Sequence, residues 1–256
     1  MELIVLGSGT YQPELDRHAS CHLVKVSGKN LVFDFGRGAL DGLMKAGVNY
    51  WNIDAIFISH THADHCEELS PFLHITLAED EKYAKRKKDM TIFGPKGLGS
   101  TVEHILRAFN LEKKTPRFKI FVKELDDSAE VKGEGWLVKC YTTEHVPELN
   151  SLAYRLEADG RVFAYSGDCI YCDGVWKACK NADLALIEAS WPAHIKSNSH
   201  MTGVEAGKVA HESEAKKLVI THMAPSYLKD HDPRDEASRY FGKNVLVAKD
   251  MMRVKV

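Results

Sequence analysis

Residues 54–68, with the sequence DAIFISHTHADHCEE, constrain this chain more than any other segment. Their apolar, β-branched start predicts a strand, and directly after it stand His60, His62, Asp64 and His65. Residues two apart in an extended segment point the same way, so His60 and His62 are expected to face one position. Asp64 and His65 then face a second position nearby. Crowded ionisable groups after a buried strand cost desolvation free energy unless a cation pairs with them. The segment therefore predicts a metal site, whereas helix capping would account for Asp64 alone.

Three further candidate ligands also follow apolar runs. His145 comes just after WLVKCYTT, Asp168 after RVFAYSG and His222 after KKLVIT. If these runs are strands that open onto one rim, the three side chains join the histidine cluster. Imidazole nitrogens and carboxylate oxygens suit divalent zinc, with manganese or iron as alternatives.

Strand-like runs outnumber helical patterns, and the helical patterns occur in both halves of the chain. This arrangement predicts an α/β fold in which helices flank a layered sheet core. No linker rich in Pro, Gly or Ser divides the 256 residues, so one domain spanning 1–256 is predicted. A long helix is expected over residues 67–88, with the charged run AKRKKD at 84–89 as its solvated end.

Charge, hydropathy and cysteine content limit the classes of protein to which this chain can belong. The net charge of −2 argues against a protein that binds nucleic acid over its whole surface. The start MELIVLGSGT lacks the basic leader of a signal peptide, and no run approaches the ~18 apolar residues of a membrane span. The six cysteines are scattered, which is typical of reduced thiols. A cytoplasmic protein without membrane association is expected, and the CIYC pair at 169–172 is expected to be an ordinary pair of thiols.

The order HxHxDH, then His, then Asp within SGD, then His after an apolar strand resembles the metallo-β-lactamase superfamily over nearly the whole chain. The resemblance implies an αββα sandwich with two divalent metal ions at one edge. It also implies that His60, His62 and His145 bind the first ion, that Asp64, His65 and His222 bind the second, and that Asp168 bridges them. Such a pair of ions, ~3.5–4 Å apart, lowers the pKa of a shared water.

His200 lies outside this ligand set. Thr202 followed by Glu205 is a capping-box pattern, which predicts a helix from about Gly203. A helix amino terminus attracts phosphate but disfavours a protonated imidazole, and a nearby carboxylate such as Glu188 reverses that preference. His200 is therefore expected to be a general acid paired with Glu188. A solvent-facing histidine in a capping loop is the alternative. A role as an eighth metal ligand is less favoured, because seven ligands already fill the two sites.

Within the superfamily, IEAS, SHMT, DRHASCHLV and ITHMAPSY resemble the ribonuclease Z branch. That branch implies a phosphodiesterase acting on RNA 3′ ends or on small or cyclic phosphodiesters, a homodimer, and Asp64, Glu188 and His200 as catalytic residues. Only 22 residues separate His145 from Asp168, where ribonuclease Z carries a tRNA-clamping arm, and FDFGRGALDG also departs from the family pattern.

Two other functions are also compatible with these sequence features. A thioester or lactone hydrolase of the glyoxalase type would keep the metal ligands but would not need the Glu188–His200 pair. A non-catalytic metal-binding module is the other alternative.

Overall fold

Side chains that alternate along the first strand, β1 (Glu2–Gly7), enter two different hydrophobic clusters. Leu3 and Val5 belong to one cluster, and Ile4 and Leu6 to another. Since neighbouring residues of a strand point to opposite faces, the sheet that contains β1 is covered on both sides.

The computed structural model describes residues 1–78, 86–114, 118–242 and 245–256. The first sheet contains β1, β2 (Cys21–Val26), β3 (Lys29–Phe33), β4 (Ala55–Phe57), β5 (Met90–Gly94), β6 (Ile120–Glu124) and β14 (Arg253–Lys255), in the spatial order β14-β1-β2-β3-β4-β5-β6. The second sheet contains β7 (Glu130–Gly133), β8 (Trp136–Thr143), β9 (Ser151–Ala158), β10 (Arg161–Tyr165), β11 (Leu184–Glu188), β12 (Leu218–Thr221) and β13 (Val245–Val247), in the order β13-β12-β11-β10-β9-β8-β7.

The described helices are α1 (Ala39–Lys45), α2 (Ala63–Cys66), α3 (Leu69–Ala78), α4 (Leu98–Ala108), α5 (Asp173–Cys179), α6 (Gly203–Glu212), α7 (Pro225–Asp230) and α8 (Pro233–Phe241). None of the helices in the described ranges is long and apolar enough to span a bilayer.

Three apolar clusters define the layers. The middle cluster joins the facing surfaces of the two sheets through Phe33 and Phe57 on one side and Tyr154 and Phe163 on the other. The outer face of the first sheet packs with residues of α1, α3 and α4. The outer face of the second sheet packs with residues of α5, α6, α7 and α8. The architecture is an αββα sandwich, and the predicted fold class is confirmed.

The site-bearing segments lie where strands end. β3 and β4 run parallel, as do β10, β11 and β12, so their carboxyl ends reach the same edge. Asp34, Gly167 and His222 each follow a strand end and adopt left-handed backbone conformations, with φ of 58°, 59° and 57°. Such a conformation is uncommon outside glycine and occurs often at functional sites. It turns the chain sharply at the ends of these strands.

Helix boundaries agree with the sequence in some places and differ in others. α6 begins at Gly203 with the predicted capping box, in which the Thr202 hydroxyl accepts from the Glu205 N–H and the Glu205 carboxylate accepts from the Thr202 N–H. α5 and α7 were not expected, because each has fewer than eight residues and gives little helical periodicity.

The predicted long helix over 67–88 differs from the structure. α3 is described to Ala78, and the following part of the prediction, 79–85, lies outside the described residues. Arg86 was wrongly expected to be solvated. It is 2% exposed, and its guanidinium donates hydrogen bonds to the carbonyl oxygens of Trp51 and Ile53. These backbone acceptors offset the cost of burying its charge.

Candidate metal centre

Three imidazoles that follow β4 and β8 converge on one point. His60 Nε2 lies 2.9 Å from His62 Nδ1, and His145 Nε2 lies 3.2 Å from the same His62 atom. Burial lowers the pKa of all three histidines, and that of His60 falls well below its usual range. Neutral rings present nitrogen lone pairs, so this cluster is suited to bind a divalent cation.

A second cluster adjoins the first and contains Asp64, His65, Asp168 and His222. His222 Nε2 lies 3.2 Å from Asp64 Oδ2 and 3.4 Å from Asp168 Oδ2, and His65 Nε2 lies 3.1 Å from the same Asp168 oxygen. Asp168 Oδ2 also lies 3.9 Å from His60 Nε2 of the first cluster. The structure thus brings together all seven residues predicted as ligands, and Asp168 is the member of the second cluster that also approaches His60 of the first.

The Asp168 carboxylate tests whether a cation fits here. It is 2% exposed, and its Oδ1 atom has no hydrogen-bond partner among the described residues. A buried carboxylate oxygen without a partner is costly, and a metal ion would satisfy it. The surrounding histidines hold the pKa of Asp168 well below its usual range, although burial opposes this. The donor set of imidazole nitrogen and ionised carboxylate therefore fits divalent zinc, manganese or iron.

Four of the histidine rings are oriented by hydrogen bonds at Nδ1, on the side of the ring that faces away from the centre of the site. His60 Nδ1 lies 3.1 Å from Ser59 Oγ, and His65 Nδ1 lies 2.7 Å from Asp34 Oδ2. His145 Nδ1 lies 2.6 Å from the Ser199 carbonyl oxygen, and His222 Nδ1 lies 3.0 Å from Ser190 Oγ. Each of these rings keeps Nε2 for the centre of the site. Partners of this kind fix both the tautomer and the orientation of a metal-binding histidine.

Asp34 is a site residue that the sequence analysis missed. It is fully buried after β3 and accepts hydrogen bonds from the Ser59 N–H at 2.6 Å, the Ser59 hydroxyl at 2.8 Å and the Tyr165 hydroxyl at 2.5 Å. Asp34 lies within FDFGRGALDG, the segment that departs from the family pattern. A carboxylate directly after a buried strand was the available signal. Asp34 positions the His65 ring.

His200 and Glu188 meet beside the two clusters. His200 Nδ1 lies 3.0 Å from Glu188 Oε1 and 3.9 Å from Asp168 Oδ2. Glu188 is 1% exposed, and its carboxylate accepts from the N–H groups of Cys169 and Ser190, both at 3.0 Å. Burial opposes protonation of His200, but the Glu188 carboxylate outweighs it and raises the pKa to about 9. His200 also lies within ligand distance of His145 and Asp168, so the geometry alone leaves both a proton-donor and a ligand role available.

His18 and His22, near the start of β2, contact residues that lie outside the two clusters. His18 Nδ1 lies 2.6 Å from Asp250 Oδ2, which anchors the chain that leads into β2. His22 is fully buried against the Tyr165 ring, with burial lowering its pKa to about 3. The CIYC pair contributes a backbone contact, since the Cys169 N–H donates to Glu188, and all six cysteines are buried free thiols.

The family model of the beta-lactamase superfamily domain matches residues 38–223. The chain belongs to the metallo-β-lactamase superfamily, as its motifs predicted. It is 28% identical to the ribonuclease Z of Methanosarcina acetivorans over 312 aligned positions, which cover all of this chain and 98% of the relative. Since this chain has 256 residues, at least 56 of those 312 positions face gaps in it.

Two solved structures share the fold over almost their whole lengths. The human short-form tRNase Z superposes with a TM-score of 0.78 and 26% identity, covering 100% of this chain and 99% of that one. The metallo-β-lactamase fold protein YhfI from Bacillus subtilis superposes with a TM-score of 0.82 and 22% identity, covering 99% of each chain. The resemblance to the ribonuclease Z branch is thereby confirmed.

The first prediction concerns Asp34. Asp34→Asn removes the negative charge that orients His65 while keeping the size of the side chain, and we expect divalent-metal affinity to fall roughly 10- to 100-fold. Competition with a chromophoric chelator measures the affinity for Zn²⁺. Asp173→Asn is the control, because that side chain is 94% exposed. Unchanged Zn²⁺ affinity in a folded Asp34→Asn protein would contradict the positioning role.

The second prediction concerns protonation of His200 in the metal-free protein. Its pKa of about 9 means that the ring stays protonated through neutral pH. Relative to an unfolded value near 6.5, the Glu188 contact stabilises the fold fully below that pH and is lost as the pH rises through about 9. Glu188→Gln should move the His200 titration downward, as measured by NMR of the imidazole nitrogens. An unmoved titration would exclude Glu188 as its cause.

Proposed function

We propose that this protein is a metal-dependent phosphodiesterase that hydrolyses RNA, with His200 as the general acid. The observation that carries the proposal is the 3.0 Å contact between His200 and the buried Glu188, placed 3.9 Å from Asp168. The family membership and the relatives named ribonuclease Z support the choice of substrate.

The metal-binding part of the proposal uses the two clusters described above. His60, His62 and His145 would bind one divalent ion, Asp64, His65 and His222 a second, and Asp168 both, with zinc the expected metal. When bound, two such ions activate water and neutralise charge on the reacting phosphoryl group.

Asp64 is the predicted catalytic residue within this ligand set. Neighbouring His65 and His222 outweigh burial and lower its pKa to about 2, so the carboxylate is ionised at neutral pH. Its side chain is 9% exposed and lies 3.6 Å from His65 Nε2 within the cluster. We propose that Asp64 helps to orient the attacking water.

His200 supplies what a phosphodiester with an alkoxide leaving group requires. An alkoxide departs poorly unless it receives a proton as the phosphorus–oxygen bond breaks. The ring is 20% exposed and is held protonated by Glu188, so it can give its proton to the departing oxygen. A thioester does not need this donor, because a thiolate leaves readily. The Glu188–His200 pair therefore favours phosphodiester hydrolysis over thioester hydrolysis.

The substrate is proposed to be RNA bound without the arm that ribonuclease Z carries between the corresponding ligands. In this chain the interval between His145 and Asp168 contains β9 and β10 as its strands. A homodimer and a cytoplasmic location belong to the same proposal. The homodimer rests on resemblance, and six buried free thiols suit a reducing compartment.

The third prediction tests the reaction class. Protein loaded with two equivalents of Zn²⁺ or Mn²⁺ should hydrolyse bis(p-nitrophenyl) phosphate and short RNA, and a chelator should abolish both activities. Thioester and lactone substrates serve as the comparison. Turnover of a thioester or a lactone without phosphodiester hydrolysis would overturn the proposal.

The fourth prediction tests the proton donor. His200→Ala should lose roughly 100- to 10,000-fold in kcat on RNA, but far less on a nitrophenyl diester, since nitrophenolate leaves without a proton. Bound metal, measured by elemental analysis, should stay at the wild-type amount. His194→Ala, an exposed histidine of the same loop, is the control. Equal losses on both substrates, or a loss of metal, would argue against His200 as the acid.

A further inference from the structure

An exposed tyrosine lies beside the proton donor. Tyr11 is 63% exposed, the largest exposed fraction of any aromatic side chain in the described ranges. It lines a small pocket together with Gln12, Trp191, His200 and His222. This pocket brings an exposed aromatic ring together with the side chains of the proposed proton donor and of a predicted metal ligand.

The loop that carries Tyr11 is anchored at its base. The Gly9 N–H donates to the His18 carbonyl oxygen at 2.7 Å, which closes the loop, and His18 is fixed by Asp250. The Arg17 guanidinium, in a residue 8% exposed, donates to the Met223 carbonyl oxygen at 3.2 Å. Because Met223 directly follows the predicted ligand His222, this contact ties the loop to the metal centre.

The other wall of the pocket is also built on fixed backbone. The Gly203 N–H donates to the Trp191 carbonyl oxygen at 3.3 Å, and Trp191 pairs with Thr202 in a β-bridge. Trp191 is thus held next to Thr202, the residue that caps α6. Thr202 lies two residues after His200 in the sequence. Two aromatic residues from separate anchored segments therefore line the same pocket as the proposed proton donor.

We propose that Tyr11 stacks on the nucleobase of the leaving nucleoside, with Trp191 as a second aromatic residue lining the same pocket. The assignment rests on the proposed function, in which His200 protonates the departing oxygen and so marks the leaving-group side. A leaving ribonucleoside places its planar base near that oxygen, and the exposed Tyr11 ring gives it a face to stack on. Stacking is tolerant of sequence, because every base has a π face. Tyr11 then selects nucleic acid over simple alkyl diesters without reading a particular base.

The experiment compares two short diesters that differ only in the leaving alcohol, which is a nucleoside in one and its abasic analogue in the other. Mass spectrometry verifies the bond that is cleaved. Wild-type protein should show a KM roughly 5- to 100-fold lower for the nucleoside diester. Tyr11→Ala should raise that KM toward the abasic value with little change in kcat, because stacking is equal in the ground and transition states.

Two variants complete the design. Tyr11→Phe should keep the wild-type preference, since stacking does not use the hydroxyl group. Phe121→Ala removes an aromatic that is 43% exposed on edge strand β6 and should leave both KM values unchanged. Equal wild-type KM values for the two diesters, or an equal effect of Tyr11→Ala on both, would overturn the stacking proposal while phosphodiester hydrolysis stands. Cleavage of neither diester, with bis(p-nitrophenyl) phosphate also inert, would overturn the proposed function and the stacking proposal together.

Discussion

The buried carboxylate of Asp168 is the group on which the arrangement of this site depends. It sits between histidines that follow strands of both sheets, 3.9 Å from His60 and 3.4 Å from His222. Taking this charge out of water is unfavourable unless positive charge or a metal ion faces it. The same carboxylate lies 3.9 Å from His200. One residue thus links the two ligand clusters to the proposed proton donor.

Hydrogen bonds outside the ligand clusters hold the histidine rings of the site in place. Asp34 fixes His65, Ser190 contacts His222, and Glu188 faces His200. Ser190 also connects two of these units, because its hydroxyl lies within hydrogen-bond distance of both Glu188 and His222. The proposed acid and the predicted second-ion ligands are consequently held by one hydrogen-bonded unit, and a change at Ser190 would be felt by both. This coupling suits a reaction in which attack and departure take place on the same phosphorus atom.

The loop that carries Tyr11 is the part of the site that we propose selects the substrate. The loop from Gly9 to His18 is closed by its own backbone contact and tied to Met223 by Arg17. A loop held in place at its base loses less conformational entropy on binding a ligand than an unanchored loop does, so an aromatic side chain carried on it contributes more to affinity. In the proposed mechanism the ions and His200 act on the phosphodiester, while Tyr11 selects what is attached to it.

The sequence by itself indicated a layered sheet core flanked by helices, and the order of its motifs indicated the family. The αββα sandwich and the candidate metal ligands followed from that resemblance, whose motifs are local properties of the chain. HTHADH, the SGD aspartate and the Thr202–Glu205 capping box are each contained in a short segment. Only the tertiary structure decided which distant residues support them. Tyr165 reaches Asp34 across 131 residues of sequence, and Arg86 enters the interior to satisfy carbonyl oxygens near β4. These contacts arise from the packing of sheets and helices against each other, and no periodicity within a single segment encodes that packing.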